Sequence, residues 1–505
     1  MTNTNPSTAY ESWSREDLIR RLTQLESGSR EAPASPPPQA PKKFDFGAYE
    51  TRKIALKFCY SGWEYGGLAF QNAPTPLPTV EGVLFDALAH ARLVDGEAGL
   101  DGCGWERCGR TDRGVSAAGQ VVSLYVRSSR RKEATSAQAQ AGAASSDSAS
   151  ASTSGPSAVE TDGDALAGFD LETSEPTNNS ARKAEETHRE LPYVWTLNHL
   201  LPPTIRVLAW SPIAPDFSAR FNCKFRHYKY FFPCAGLSIP RMQEAAALLV
   251  GEHDFRNLCK LDPAKQIKTF KRGILSATIS PVQGEDGMYV LDLVGTAFLY
   301  HQVRHIMAML LLVGSGLEPP SVISALMNVE DNPGTELPIV DRKPEYQMAD
   351  GLPLMLWDCG YADQDVDWRS NDGSLSGQGY LHTQMRSIRE RSRIHTTLDQ
   401  HFLQAAEKFH APEDSKLPLG PGALVLSSAS GRPFPSLPKS KSKEEKVNYS
   451  VPLGGGTFRR AAEYVPLLER KRLEHVDVVN ERWLNTKGAR KAARTAGADA
   501  VGADE

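Results

Sequence analysis

The apolar positions between residues 52 and 361 follow two patterns, one typical of strands and one typical of helices. Runs rich in Val, Ile, Leu and aromatic residues predict strands at 53–60, 119–126, 205–210, 226–232, 274–280 and 288–294. Apolar residues at helical spacing predict helices at 79–93, 239–250, 298–313 and 321–329. Because strands and helices are interleaved, we expect an α+β fold, with a mainly antiparallel sheet flanked by helices.

The segments around this folded region have the composition of tails and of an insertion. Residues 1–43 form an N-terminal tail, in which Ser14 and Asp17 have capping-box spacing ahead of a short amphipathic helix. That helix is either transient in a disordered leader or a partner-binding element. Residues 128–190 consist mainly of Ala, Ser, Gly, Thr and acidic residues, which bury too little apolar surface to fold. We therefore expect a folded domain at 44–370, in two α+β subdomains, interrupted by a disordered acidic insertion at 128–190.

Residues 371–505 form a C-terminal extension that mixes several kinds of sequence. A helical pattern at 380–409 is followed by a low-complexity stretch to residue 449 and by a basic end. The basic run at 487–494 is typical of a nuclear localisation signal or of an RNA-binding tail. The alternative to both is a solvated charged surface.

Composition and charge exclude some classes of protein. The longest apolar run, at 306–313, is far shorter than the roughly 20 residues of a membrane-spanning helix. We therefore do not expect this chain to be a membrane protein. Seven cysteines in 505 residues do not make a disulfide framework, which favours a reducing compartment. The net charge is −4, but residues 133–190 hold eleven acidic and three basic residues, so the remainder carries +4. This balance is compatible with a polyanionic partner.

The densest group of chemically useful side chains is the sequence CGRTDRGVS at 108–116. Asp112 stands between Arg110 and Arg113, and between two glycines, directly before a predicted strand. A carboxylate beside guanidinium groups stays ionised and can act as a nucleophile or a base. The alternative is that Asp112 caps a turn and pairs with a surface arginine.

A second candidate comprises FSARF at 217–221 and the aromatic strand that follows it. Tyr228 and Tyr230 share one face of this strand because side chains alternate along it, and Arg220 precedes it. Aromatic and basic residues interleaved in this way suit base stacking and phosphate contact. The alternative is a stripe of aromatic residues that faces the core.

The third candidate is GTAFLYHQVRH at 295–305, where a helix would place His301, Arg304 and His305 together on one face. An arginine there can bind a carboxylate or a phosphate through two parallel hydrogen bonds. The alternative is a solvated face on an otherwise buried helix.

Metal and cofactor sites are weakly indicated. Cys103 and Cys108 are too far apart for a CxxC pair, and Cys223, Cys234 and Cys259 are scattered along the chain. The chain has neither a GxxxxGK[ST] phosphate loop nor a dinucleotide-binding fingerprint. We therefore predict no metal site, and chemistry that needs no cofactor.

Taken together and in this order, the three segments resemble the TruA-type tRNA pseudouridine synthases. GRTDRGVSAAGQVVSL at 109–124, RHY at 226–228 and FLYHQVR at 298–304 match that family's GRTD, R-x-Y and F-L-x-H-x-V-R motifs. HDFRNLCK at 253–260 and LPPTIRVLAWSP at 201–212 resemble the eukaryotic branch that modifies uridines 38 and 39 of the anticodon stem-loop. The end of the chain is also similar to that of fungal members.

The resemblance implies a fold, an activity and roles for individual residues. It implies the pseudouridine synthase fold for the catalytic domain at 44–370, and isomerisation of uridine to pseudouridine in tRNA with Asp112 as the nucleophile. It places Tyr228 against the target uracil and Arg304 against the catalytic carboxylate. The further expected substrate contacts are Arg110, Arg113, Arg220, Tyr230 and His301.

The resemblance also implies tRNA as the partner, a homodimer that builds a shared tRNA-binding cleft, and a location in both nucleus and cytoplasm. Two other functions stay open. A non-catalytic tRNA-binding or tRNA-folding protein would keep the fold without the activity, although all three motif residues are intact. A nucleosidase-type glycosyl hydrolase would need a second carboxylate, and the motifs supply one. The sequence does not determine which tRNAs are used, or whether Asp112 attacks the sugar or the base.

Overall fold

The computed structural model of the protein describes residues 13–28, 44–132, 190–330, 336–370, 380–411, 449–461 and 464–490. The chain divides into two units, residues 1–47 and residues 48–505. The first unit contains helix α1 (Arg15–Gly28), which confirms the helix predicted there. The Ser14 hydroxyl accepts a hydrogen bond from the Asp17 N–H at 3.2 Å and donates one to the Asp17 carboxylate at 2.6 Å. None of the helices in the described ranges has the length and apolar character needed to cross a membrane.

The six predicted strands and the five predicted helices of the second unit occur close to their predicted positions, and its described residues also contain five strands and three helices that were not predicted. The strands are β1 (Tyr49–Tyr60), β2 (Glu106–Arg107), β3 (Ser116–Arg131), β4 (Ile205–Pro212), β5 (Phe225–Pro233), β6 (Gly251–Asp254), β7 (Lys271–Pro281), β8 (Met288–Gly295), β9 (Leu354–Gly360), β10 (Tyr449–Gly454) and β11 (Thr457–Ala461). The helices are α2 (Val80–His90), α3 (Gly99–Gly102), α4 (Tyr193–Leu200), α5 (Ile239–Ala247), α6 (Gln302–Gly314), α7 (Val322–Met327), α8 (Tyr380–Glu407) and α9 (Val476–Trp483).

A nine-stranded sheet runs through the described part of the second unit. Its strand order is β4–β1–β3–β9–β5–β8–β7–β6, with β2 paired to β3. The pairing of β3 with β9 is parallel, and the other pairings of this sheet are antiparallel. The predicted mainly antiparallel sheet flanked by helices is therefore confirmed. Because β9 lies between β3 and β5, the loop before β3, which holds Asp112, is one strand away from Tyr228 in β5.

Two hydrophobic cores lie against this sheet. The N-terminal core is formed by buried residues of β1, β3, β4, α2 and α4. The C-terminal core is formed by buried residues of β5, β7, β8, α5, α6 and α7. Tyr228 is partly buried and packs against both cores, so the boundary between them passes through the R-x-Y motif. The two cores share one continuous sheet.

Glu190 holds together the two ends of the predicted acidic insertion. Strand β3 extends beyond Ser128, so the first residues assigned to the insertion belong to the sheet. The Glu190 carboxylate accepts hydrogen bonds from Arg52 at 2.9 Å and from the Ser128 hydroxyl at 2.8 Å. The predicted disorder rests on residues 133–189, which lie outside the described residues.

Part of the predicted C-terminal extension packs against the C-terminal core. Val451 of β10 and Leu467 are buried there. Glu318, which is 3% exposed, accepts hydrogen bonds from the Tyr464 hydroxyl at 2.6 Å and from the Leu467 N–H at 2.7 Å. Burial raises the pKa of Glu318 to about 7. Described residues of the extension, from 449–461 and 464–490, thus contribute to the folded core, whereas the low-complexity stretch at 412–448 lies outside the described residues.

The helix predicted at 298–313 begins later, at Gln302. His301 precedes it with φ 60° and ψ 11°, in the left-handed region, which is uncommon for a residue other than glycine. The Leu299 N–H donates to the Gln302 side-chain oxygen at 2.7 Å, which closes the turn before the helix. His301 and His305 therefore do not share a helix face as predicted. The solvated-face alternative also fails, because α6 is buried along nearly its whole length.

Candidate active site

Asp112 lies in the loop between β2 and β3, on a framework of neutral hydrogen bonds. Thr111 is buried, and its hydroxyl shares a 2.6 Å hydrogen bond with the Tyr60 hydroxyl. The Thr111 carbonyl accepts from the Leu68 N–H at 3.3 Å, and the Asp112 carbonyl accepts from the Val115 N–H at 3.2 Å. These contacts anchor the backbone on both sides of Asp112, whose side chain remains 28% exposed.

Gly67 allows a neighbouring loop to approach Asp112 closely. Its φ is +114°, and a Cβ at this position would lie 3.3 Å from the Thr111 carbonyl oxygen and 3.4 Å from the Arg113 nitrogen. An L side chain is strained at such a φ, and it would also press on the backbone around Asp112. Glycine at position 67 is therefore part of what positions the carboxylate.

Two side chains from the start of α6 contact the Asp112 carboxylate. His301 Nε2 lies 3.1 Å and Arg304 Nη1 lies 3.8 Å from the same oxygen, Oδ2. Arg304 Nε donates to the Ala349 carbonyl at 2.8 Å, which holds the guanidinium in place. The predicted contact between Arg304 and the carboxylate is confirmed. Among the described residues, no side chain bonds the second oxygen, Oδ1.

Tyr228 lies at the boundary between the two cores with its ring partly exposed. The ring meets that of Phe298 edge-on, with centroids 4.9 Å apart. Burial raises the pKa of Tyr228 well above its ordinary value, so the hydroxyl stays protonated at neutral pH. A neutral phenol supported by a second ring suits contact with a planar base.

Arg226, the first residue of the R-x-Y motif, joins three loops around the site. Its guanidinium donates to the carbonyls of Cys108 at 3.0 Å, Arg220 at 3.2 Å and Thr296 at 3.0 Å. These carbonyls belong to the Asp112 loop, to the segment before β5 and to the turn before α6. This role of Arg226 was not predicted from the sequence, where the only signal for it was the place of Arg226 in the motif.

The predicted arginines near Asp112 have exposed side chains. Arg110 and Arg113 flank the carboxylate in sequence, and Arg220 lies on a segment that Arg226 ties to the same loop. The Arg220 guanidinium lies over the Phe221 ring, at 5.4 Å from its centroid. These positions leave the three side chains accessible to a polyanion.

Two residues grouped with the site in the sequence lie elsewhere. Tyr230 is fully buried in the C-terminal core and donates to the Asp350 carbonyl at 3.0 Å, which leaves no surface for the predicted substrate contact. For Tyr230 the core-facing alternative is correct. His305 is also buried, with Nε2 3.1 Å from Lys343 Nζ. Burial lowers the pKa of His305 to about 2 and that of Lys343 to about 8.

Three cysteines that are distant in sequence meet beside the Asp112 loop. The Sγ atoms of Cys108, Cys223 and Cys359 all lie within 4.8 Å of one another. The prediction of no metal site rested on sequence spacing, which does not show which strands and loops become neighbours. The proximity of these three cysteines was therefore not considered when no metal site was predicted.

Comparisons with known proteins support the motif resemblance. A family model described as tRNA pseudouridine synthase matches residues 245–362, which include His301 and Arg304. The chain is 41% identical over 382 residues to the tRNA pseudouridine(38/39) synthase of Saccharomyces cerevisiae, a match that covers 71% of this chain and 73% of that protein. It is 38% identical over 377 residues to the Bos taurus protein of the same name, covering 70% and 67%. The identity to the Homo sapiens protein of that name is 40% over 336 residues, covering 65% and 59%.

Proposed function

The chain belongs to the tRNA pseudouridine synthase family, whose enzymes isomerise uridine in tRNA, and we propose that it acts on uridines 38 and 39 of the anticodon stem-loop. The names of the yeast and bovine relatives support the choice of positions. The observation that carries the proposed chemistry is the partly exposed carboxylate of Asp112, held through one oxygen by His301 and Arg304.

Asp112 is the proposed nucleophile. His301 and Arg304 contact Oδ2, which orients the carboxylate, and among the described residues Oδ1 has no side-chain partner and is available to attack a carbon. The Arg304 guanidinium compensates the negative charge of the Asp112 carboxylate when bound RNA covers the site. Hydrogen bonds between Thr111 and neutral groups hold the backbone next to Asp112. The carboxylate is therefore positioned before the substrate binds.

Isomerisation breaks the N1–C1′ bond, turns the uracil and joins C5 to C1′. In one route the carboxylate displaces uracil from C1′ as a sugar ester, and C5 of the turned uracil then attacks C1′ and releases the carboxylate. In the other route the carboxylate adds to the uracil ring, the glycosidic bond breaks, C5 joins C1′, and the bond between the ring and the carboxylate then breaks to release Asp112. Both routes move one proton from C5 to N1 overall. No external reactant is consumed, which agrees with the expected absence of a cofactor requirement.

Tyr228 is proposed to stack on the detached base and hold it while it turns. Base–aromatic stacking contributes about 1–3 kcal/mol per base. Because burial keeps the Tyr228 hydroxyl protonated, this group can donate a hydrogen bond but is a poor acceptor for the C5 proton. The structure therefore supports a stacking role more strongly than a general-base role.

The exposed cations around the site are proposed to bind the tRNA while the target base is flipped out of its stack. Flipping the base costs a few kcal/mol. Arg110 and Arg113 lie on the Asp112 loop. Tyr300, next to His301, is 37% exposed, and Lys260 and Lys265 lie 5.7 and 5.1 Å from its ring centroid. A ring flanked by cations suits base stacking and phosphate contact, and the sequence analysis did not single it out.

We propose that the enzyme is a homodimer with a shared tRNA-binding cleft, and that it occurs in nucleus and cytoplasm. The family resemblance supports both. Within the described residues of α8, Ile394, Leu398 and Phe402 recur every four positions and are 59%, 47% and 66% exposed, as expected of a helix face with a partner. Sedimentation velocity of the full chain and of Leu398→Glu tests the dimer, and imaging of a tagged chain tests the location.

Pseudouridine mapping at single-nucleotide resolution, on a tRNA transcript with uridines at positions 38 and 39, tests the activity. The full chain is compared with Asp112→Asn and with Asp101→Asn, which changes an exposed carboxylate on α3. Wild type and Asp101→Asn are expected to form pseudouridine at these positions. Asp112→Asn is expected to turn over about 10⁴-fold more slowly or worse, with tRNA affinity retained.

Each other outcome points to a defined alternative. Wild-type turnover by Asp112→Asn would exclude Asp112 as the nucleophile. Pseudouridine at other positions would retain the chemistry and reject the proposed target. Tight binding without product would favour the non-catalytic tRNA-binding protein, and release of free uracil would favour the nucleosidase.

A further inference from the structure

The group of three cysteines next to the active-site loop is not used by the proposed reaction. Cys108 and Cys359 are buried, with 1% and 3% exposure, and Cys223 is half-buried. Their Sγ atoms all lie within 4.8 Å of one another. Three thiols this close, of which Cys223 is the most exposed, form a group of soft ligands.

The three thiols come from three separate parts of the fold. Cys108 precedes the loop that carries Asp112, and its N–H donates to the Val121 carbonyl at 2.9 Å. Cys223 lies in the turn before β5, and its thiol donates to the Phe225 carbonyl at 3.1 Å. Cys359 lies in β9. A single ion bound here would connect the catalytic loop to β9 and to the turn before β5.

Arg226 lies close to this group of thiols, because its guanidinium donates to the Cys108 carbonyl at 3.0 Å. A neighbouring positive charge favours the thiolate, which is the form of cysteine that binds metals.

We propose that Cys108, Cys223 and Cys359 bind one thiophilic metal ion, Zn²⁺, with a water molecule as the fourth ligand on the side of Cys223. Tetrahedral Zn²⁺ has Zn–S distances near 2.3 Å, which correspond to S···S separations of about 3.8 Å. The observed separations require only small side-chain movements to reach this value. With three thiolates and Zn²⁺ the site carries one net negative charge, which the Arg226 guanidinium compensates.

The proposal goes beyond the isomerase activity, because the ion has no part in bond making or breaking. Its effect is to restrain the loop that carries Asp112. Zinc bound at one hundred times its dissociation constant is expected to raise the melting temperature by about 5 °C. Metal binding is measured independently of activity, so failure of this proposal and failure of the proposed tRNA activity are distinguishable.

The test uses the full chain, reduced and stripped of metal. Zn²⁺ is titrated against a chromophoric chelator, and Co²⁺ is titrated in parallel as a spectroscopic probe. We expect one ion per chain, with a dissociation constant of about 10⁻⁷ M or tighter, and an intense sulfur-to-cobalt charge-transfer band. Cys223→Ser is expected to weaken binding at least 100-fold. The matched control, Cys234→Ser, changes another half-buried cysteine outside the group and is expected to bind as wild type does.

A second measurement covers the case in which Cys223→Ser fails to fold. In wild type, Cys223 is expected to react with iodoacetamide in the metal-free protein and to be protected by Zn²⁺, while Cys234 reacts equally in both states. No binding at about 10 µM Zn²⁺, unchanged affinity in folded Cys223→Ser, a missing charge-transfer band or unchanged alkylation of Cys223 would each overturn the proposal. In those cases the three thiols are ordinary core residues.

Discussion

The N-terminal and C-terminal cores meet at Asp112 but contribute different kinds of contact to it. The N-terminal core holds the loop through neutral groups, as in the pairing of the Tyr60 and Thr111 hydroxyls. The C-terminal core supplies His301 and Arg304, which contact the carboxylate itself. The position of the nucleophile and its charge environment therefore depend on different parts of the molecule. Substitutions can test the two contributions separately.

Among substitutions of the groups that surround Asp112, the largest effect is expected from Arg304→Met, which removes the charge supplied by the C-terminal core. Because the Arg304 side chain is 14% exposed and directed at Asp112, kcat should fall about 10²–10³-fold with little change in KM for tRNA. Steady-state kinetics would measure both values. Arg342→Met, at a 48% exposed arginine in the same half of the chain, is the control. A rise in KM with kcat unchanged would instead make Arg304 an RNA-binding residue.

A smaller loss is expected when the contact between His301 Nε2 and the Asp112 carboxylate is removed. His301→Leu should lower kcat about 10–100-fold, since a polar contact with a charged group contributes about 1.5–3 kcal/mol once it tightens into a hydrogen bond with substrate bound. His301→Gln keeps a donor and should lose less than His301→Leu. The two variants share the left-handed backbone of this position, so their ratio isolates the contribution of the polar contact. Equal kcat values for the two would show that the contact at 3.1 Å does not assist the reaction.

Gly67→Ala tests the contribution of the N-terminal core. The positive φ of Gly67 should destabilise this variant by about 1–3 kcal/mol, and the new Cβ should displace the Asp112 loop and lower kcat about 10-fold. Gly284→Ala is the matched control, because Gly284 also has a positive φ but nothing lies within 4 Å of its added Cβ. Thermal unfolding and kinetics are measured on both. Loss of kcat in both variants would show that general destabilisation, not loop displacement, is responsible.

The smallest effect on activity, and a distinct effect on stability, is expected at Glu318. Burial raises its pKa from 4.5 to about 7, so its stabilising contribution is fully present below about pH 4.5 and is lost as the pH rises through about 7. The loss amounts to about 3 kcal/mol. Glu318→Gln does not titrate, so its free energy of unfolding, measured with urea, should depend less on pH across this range. An equal pH dependence in both proteins would contradict the assignment, and exposed Glu330→Gln is the control.

The parts of the fold that were predicted correctly are those carried by local patterns. Strand alternation and helical spacing predicted the main elements, whereas the roles of Asp112, Tyr228 and Arg304 were assigned through motifs that resemble a family and stay predictions. The contact of Arg304 with Asp112 is present in the structure. The capping box of Ser14 is likewise a local pattern, and it is present.

The features that sequence reasoning missed depend on contacts between distant segments. Alternation along β5 does not show that Tyr230 enters a core while Tyr228 reaches the boundary between two cores. Spacing does not bring Cys108, Cys223 and Cys359 together, because their meeting depends on the strand order. Helical periodicity also placed the start of the helix in the third motif too early, because the left-handed turn at His301 is set by packing rather than by propensity.

The hydrogen bonds of Glu190 have a consequence for engineering. The Glu190 carboxylate accepts from Arg52 and from the Ser128 hydroxyl, so the described residues on the two sides of the segment 133–189 are joined to each other. Lengthening a closed chain segment costs little, about 0.6 kcal/mol for each doubling of a flexible loop. We therefore expect that a fluorescent reporter inserted into this segment preserves the strand pairing of β3 and β1 and allows the enzyme to be followed in cells.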